Sequence, residues 1–140
     1  MKLEQFTHAS QELIHKAAAL AQEKHNPALT ILHTLAAGIK DDFCRTFFTT
    51  LQLNLDQLEK LVLAELERLP QTHGTQLAVD PQLEQFLKNC EQQATQLGDA
   101  YISLESFLLS WATTTALAQS VRDFFAQNRF TKQRILEHMQ

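Results

Sequence analysis

The sequence predicts an all-α fold: about eight helices arranged as two tandem four-helix repeats. Three observations carry that expectation. Three glycines and three prolines in 140 residues leave little turn chemistry for a hairpin-rich β fold. Apolar side chains recur at spacings of three and four along almost the whole chain, the period of an amphipathic helix. Sliding the chain on itself until Thr7 falls on Asp80 superposes caps and apolar positions. With 44% hydrophobic residues the chain fills one core, so residues 1–140 are expected to form a single domain, with repeat one at about 1–70, a loop at 70–79 and repeat two at about 80–140.

Thr7 is placed to cap a first helix whose stripe is Ala9, Leu13, Ala17, Leu20 and Ala21, with Phe6 just before it. Pro27 disfavours helical geometry at Asn26, so that helix ends near His25. Thr30 caps a short second helix, Ile31 to Ala37, which Gly38 is expected to close in a left-handed conformation. Asp41 and Asp42 favour the start of a third, carrying Phe43, Phe47, Phe48 and Leu51. Asn54 or Asp56 caps a fourth, and Leu55, Leu58, Leu61, Val62, Leu66 and Leu69 keep its face until Pro70.

Residues 70–76 have turn composition and no periodicity, so they read as the join between the halves. Asp80-Pro81 pairs an N-cap with proline at the first helical position, opening a fifth helix with Leu83, Phe86, Leu87, Cys90, Ala94 and Leu97 on its stripe. Gly98-Asp99 ends it. Ser103 caps a sixth helix with Leu104, Phe107, Leu108 and Trp111 on one face. Leu117, Val121, Phe124 and Phe125 make a seventh, and Thr131 caps the last. Under the shift that lays Thr7 on Asp80, Leu13-Ile14 falls on Phe86-Leu87, Ala17 on Cys90, Ala21 on Ala94, Asn26 on Asp99, Leu29-Thr30 on Ile102-Ser103 and Leu35 on Leu108.

A net charge of −4, with twelve basic residues scattered along the chain, argues against nucleic acid and against a polybasic membrane surface. Cys44 and Cys90 lie far apart in apolar stretches, which fits a reducing cytoplasm rather than a disulfide or zinc scaffold. No apolar run approaches the roughly 20 residues a membrane span needs, and no signal-peptide core opens the chain. Gly38, Gly74 and Gly98 each stand alone, without a phosphate-binding loop around them. The expectation is a cytoplasmic protein without enzymatic activity, cofactor or metal.

The repeat, the opening Phe6-Thr7-x-x-Ser10, the loop at Leu69-Pro70 and above all Gly98-Asp99-Ala100-Tyr101-Ile102-Ser103-Leu104-Glu105 resemble the N-terminal domain of Clp-family AAA+ unfoldases, the ClpB-type disaggregase most of all. The resemblance covers nearly the whole chain. It implies a pseudo-twofold eight-helix bundle, the double Clp-N fold, tethered to a hexameric AAA+ ATPase ring, where it engages unfolded or aggregated polypeptides or an adaptor protein and passes them to the ring. The isolated domain is expected to be monomeric. The resemblance places substrate contacts at Thr7, Asp99 and Glu105, to which Tyr101 in the same turn is added. Each polar position also has a plain structural use: Thr7 caps, Asp99 suits a helix-ending turn, and Glu105 in a first turn gains about 0.3–1 kcal/mol from the helix dipole.

The resemblance also implies an apolar groove on the fifth and sixth helices, and there the sequence departs from it. The corresponding positions are Asn89, Gln93 and Ser106. Asn89 and Gln93, one turn apart on the flank of the stripe, are expected to be exposed and polar. Burying one leucine-sized group stabilises by about 1.5–3 kcal/mol, so amides there remove much of a weak peptide affinity. Leu32 stands where many relatives carry glutamate, next to His33, and is expected either buried or as a small apolar spot.

Two other readings compete. One is a stand-alone or secretion-associated Clp-N-like domain that binds one defined partner helix. The other is a small helical metal protein or enzyme on the His8, Glu12, His15 face, which lacks an H-E-x-x-H motif. Cys44 and Cys90 on apolar faces have raised thiol pKa values and read as packing. In each adjacent pair, Phe47-Phe48 and Phe124-Phe125, neighbours diverge by about 100 degrees, so one member is expected at the surface as part of a binding patch.

Overall fold

The computed structural model describes residues 2–74 and 76–139. A 3-10 turn at Leu3–Gln5 precedes eight helices: α1 His8–Glu23, α2 Ile31–Lys40, α3 Asp42–Thr50, α4 Leu55–Glu67, α5 Pro81–Leu97, α6 Leu104–Thr113, α7 Gln119–Gln127 and α8 Lys132–His138. Two short strands, β1 Ala28–Leu29 and β2 Ala78–Val79, pair in parallel and were not legible as strands. Thr7, Thr30, Asp41, Asn54, Asp80 and Thr131 accept backbone N–H bonds at their helix starts. Ser103 caps by position only, since its hydroxyl bonds no backbone group of α6.

The pseudo-twofold axis shows in the hydrogen bonds between the halves. The Thr7 N–H donates to the Ile102 carbonyl and the Asp80 N–H to the Leu29 carbonyl, both at 3.0 Å. The shift that lays Thr7 on Asp80 also lays Leu29 on Ile102, so the two bonds are the same bond made twice. Each repeat thus threads the lead-in of its long helix beside the turn of the other. Helix ends correspond as well. His25 and Gly98 both take positive φ, 57° and 78°, and the next residue donates to Ala21 and Ala94 respectively, at 2.9 Å in each case. Gly98 has open space where a Cβ would point, so its backbone angle alone explains the glycine.

The offset changes along the repeat. Ile31 and Leu104, which open α2 and α6, correspond under the same shift as Thr7 and Asp80. Asp42 and Leu55, which open α3 and α4, instead correspond to Gln119 and Lys132, each displaced towards the C-terminus by the longer connection between α6 and α7. A constant shift therefore matches only the first half of each repeat.

Gly38 does not close α2, which runs on to Lys40. It is there for a tertiary reason. Its pseudo-twofold mate is Trp111, and a Cβ on Gly38 would fall on the Trp111 ring, against Cη2 and 3.1 Å from Cζ2 and Cζ3. The indole is 1% exposed, donates from Nε1 to Thr34 Oγ1 at 3.1 Å, and lies beside Phe48 and Phe107. A symmetric pair of large residues does not fit across the axis; one indole and one glycine do.

The phenylalanine pairs behave differently from each other. Phe48 is buried and Phe47 half-buried against the core, whereas Phe124 and Phe125 are both buried. The outer member is covered from the α7–α8 turn by Phe130, whose ring centroid lies 4.6 Å from that of Phe125. Phe43, read as part of the α3 core face, is instead 43% exposed. Leu32 is buried.

Candidate functional site

The chain entering α1 and the chain entering α6 are stitched together by a parallel bridge, Phe6 with Ile102. The Ile102 N–H donates to the Gln5 carbonyl at 2.8 Å, and its own carbonyl accepts from Thr7. That stitch brings Thr7 to the segment carrying Asp99, Tyr101 and Glu105. The Thr7 hydroxyl is occupied with Ser10, accepting from its N–H at 3.2 Å and donating to its Oγ at 3.0 Å. Asp99 and Tyr101 are exposed and Glu105 half-buried in the first turn of α6. The acidic character extends towards α3, because the charges of Asp41 and Glu105, behind burial, help push the Cys44 thiol up beyond any useful range. Burial pushes Cys90 up to about 12. Neither thiol has nucleophilic chemistry to offer at neutral pH.

Asn89 and Gln93 belong to a second place, an open groove of about 520 Å³ between α5 and α6 that Thr113–Ala116 and Lys132 also line. The expectation that both are exposed is corrected. Gln93 is only 6% exposed and Asn89 half-buried, its Nδ2 donating to Ser110 Oγ at 3.1 Å. The flank of α5 is covered by α6 and by the extended connection that follows it, which the helical periodicity of α5 cannot register. Ser106 lines neither place. It is fully buried, and its Oγ, like Ser103 Oγ and Gln93 Oε1, has no hydrogen-bond partner among the described residues.

The equivalent positions of repeat one explain what is missing. There the Thr30 N–H donates to His33 Nδ1 at 3.0 Å, which leaves the ring proton on Nε2, donated to Asn26 Oδ1 at 2.9 Å. Asn26 Nδ2 continues to the Pro70 carbonyl at 3.0 Å and so ties the inter-repeat loop to α2. In repeat two, Ser103, Ser106 and Asp99 replace Thr30, His33 and Asn26, and no such chain forms among the described residues. The Thr30-x-x-His33 spacing is that of a capping box, a signal that sequence reading overlooked because histidine stands in for glutamate or glutamine.

Among the described residues no three His, Cys, Asp or Glu side chains gather to hold a metal ion, and His8, Glu12 and His15 form no such group. No described helix is long and apolar enough to cross a membrane.

Residues 5–124 match the family model of the Clp repeat N-terminal domain. The chain belongs to the Clp N-terminal domain family. Chaperone protein ClpB of Bacteroides thetaiotaomicron is 26% identical over 123 residues, which cover 86% of this chain and 14% of ClpB. This Clp N-domain thus spans about a seventh of that relative. The Hsp104 N-terminal domain from Candida albicans superposes with a TM-score of 0.81 at 24% identity, covering 96% of this chain and 91% of that one. A ClpV N-domain solved as a complex with a VipB peptide superposes with a TM-score of 0.79 at 19% identity, covering 96% and 89%. The double Clp-N fold is common to all of them.

Proposed function

We infer that this Clp N-domain captures unfolded or aggregated polypeptide, or an adaptor that carries it, for a hexameric ClpB-type AAA+ ring in the cytoplasm, and does no chemistry itself. One observation supports the reading: the Phe6–Ile102 bridge brings the start of α1 at Thr7 beside the segment that carries Asp99, Tyr101 and Glu105, of which Asp99 and Tyr101 are exposed. An exposed aromatic ring beside two carboxylates suits apolar and basic segments of an unfolded chain. Each such contact is shallow, so six copies on one ring supply the avidity that one lacks. The two repeats, about 1–70 and 80–140, act as one unit here, because the site draws on both.

A second reading, a secretion-associated domain holding one defined partner helix, is favoured by the polar groove of Asn89 and Gln93. Directional amide contacts select one sequence better than they accept many. The VipB-bound ClpV N-domain shows that a domain of this fold takes a peptide.

Fluorescence anisotropy of a labelled, permanently unfolded polypeptide tests the first reading. The double substitution Asp99→Ala with Glu105→Ala is expected to weaken binding about fivefold to tenfold at low salt, at the scale of two partly exposed charge contacts. The loss should shrink at high salt. Equal affinity of wild type and variant at every salt concentration would exclude this end of the domain as the capture site.

A further inference from the structure

The pseudo-twofold axis produces the α5–α6 groove twice. Lys16, Leu20 and Lys40 line a groove of about 650 Å³ between α1, α2 and α4, and their mates across the axis, Asn89, Gln93 and Thr113, line the groove of repeat two. Their characters have diverged. In repeat two the niche is floored with amides and threonines, and one of its walls, α8, has only seven residues. In repeat one Leu20, Ala36, Val62 and Leu63 supply an aliphatic floor, and α4 forms a wall of 13 residues. Leu63 is 52% exposed, the most exposed large aliphatic side chain among the described residues. Apolar surface absent from one copy of the niche is present in the other.

The rim sets what fits there. Four of the seven lysines of the chain, Lys16, Lys24, Lys40 and Lys60, stand around this groove against three carboxylates, Glu23, Asp56 and Glu59. Glu59 is already engaged by Arg45 at 3.1 Å and Lys40 at 3.4 Å, and Lys24 reaches Glu67 at 3.5 Å. With Arg45 and Glu67 counted, the rim holds five cations against four carboxylates, one net positive charge in a chain of net charge −4, which favours acidic over basic flanks. The shape favours a helix. The groove is lined by residues of α1, α2 and α4 and by neither strand, so it offers a helix-lined trough and no sheet edge for an extended peptide to pair with.

We propose that the groove between α1, α2 and α4 docks an amphipathic helix with an aliphatic face and acidic flanks. The proposal rests on the reading of this chain as a polypeptide-binding domain and adds a site in repeat one to it.

Two synthetic peptides of the same Leu/Ala amphipathic pattern, one with glutamates and one with lysines on its flanks, provide the test by anisotropy and amide chemical shifts. The glutamate peptide is expected to bind at least tenfold more tightly than the lysine peptide and to shift amides of α1 and α4. Leu63→Glu should weaken it at least tenfold, and Gln92→Ala, an exposed position of α5 outside both grooves, should leave it unchanged. Leu63 is exposed enough for the variant to fold, which circular dichroism checks. Equal binding of both peptides, insensitivity to Leu63→Glu, or shifts confined to α5 and α6 would overturn the proposal. The labelled unfolded polypeptide, run beside them, separates two kinds of failure. If it binds while the glutamate peptide does not, only this site is lost; if neither binds, the polypeptide-binding reading falls with it.

Discussion

Trp111→Ala lowers the unfolding free energy of the domain by about 3–5 kcal/mol, the range for deleting a large aromatic side chain from a filled core. That is a large part of the roughly 5–15 kcal/mol typical of a whole domain, so the variant is expected to be partly unfolded at physiological temperature. The loss has three sources: the cavity left between Phe48 and Phe107, the buried Thr34 hydroxyl deprived of its indole N–H, and the uncovered face of Gly38. The reciprocal change is more specific. Gly38→Ala drives a methyl group into a ring that the Thr34 bond holds in place, costing about 1–3 kcal/mol by overpacking. Elsewhere in a helix the same substitution would stabilise by up to about 1 kcal/mol, so its sign distinguishes the two accounts of Gly38. In a Trp111→Phe background the penalty should shrink, a coupling of about 1 kcal/mol or more. Urea unfolding of the four proteins measures it. A stabilising Gly38→Ala, or strict additivity with Trp111→Phe, would contradict the packing described.

Acid destabilises the domain through His33. Burial, with a smaller contribution from Lys24, lowers the His33 pKa to about 4. Its geometry adds a reason: a proton on Nδ1 would cost the bond that this nitrogen accepts from the Thr30 N–H, leaving only the Thr30 hydroxyl, 2.8 Å away, to accept from it. In the unfolded chain the ring titrates at its ordinary value of about 6.5. Above that pH neither state holds the extra proton and the folded state has its full stability. As pH falls from about 6.5 to 4 the unfolded state binds the proton first, and stability drops by roughly 3 kcal/mol. Urea midpoints at pH 7 and pH 4.5 check the size of the loss. His33→Gln is the control, because glutamine keeps the capping box and does not titrate. Carboxylates contribute to both proteins alike, so the difference between the two profiles isolates the ring. Parallel profiles would show that His33 does not carry the effect.

What sequence could reveal divides along the range of the interactions. Caps such as Thr7 and Asp80, and the helix end at Gly98, depend on bonds within a few residues, and all were legible. So was the repeat, through positions shared by α1, α2, α5 and α6. Gly38 misled because a glycine near a helix end carries the same local signal whether it terminates the helix or makes room for an indole from the other repeat. Gln93 and the Phe124-Phe125 pair, one member of which was expected at the surface, were misplaced for a similar reason. Each sits where one helix alone would expose it, and each is covered by a neighbour, the α6–α7 connection in one case and Phe130 in the other. The grooves belong to this second kind. The polar residues at Asn89 and Gln93 were visible in the sequence, but the aliphatic twin between α1, α2 and α4 needed the axis to be seen in three dimensions.

The central claim is that this Clp N-domain binds unfolded polypeptide, and amide chemical shifts of the protein titrated with an unlabelled, permanently unfolded chain test it most directly. The account predicts saturable shifts at Thr7, Asp99, Tyr101 and Glu105, at micromolar to millimolar polypeptide as befits a single shallow site. Spectra unchanged throughout at millimolar polypeptide would contradict it.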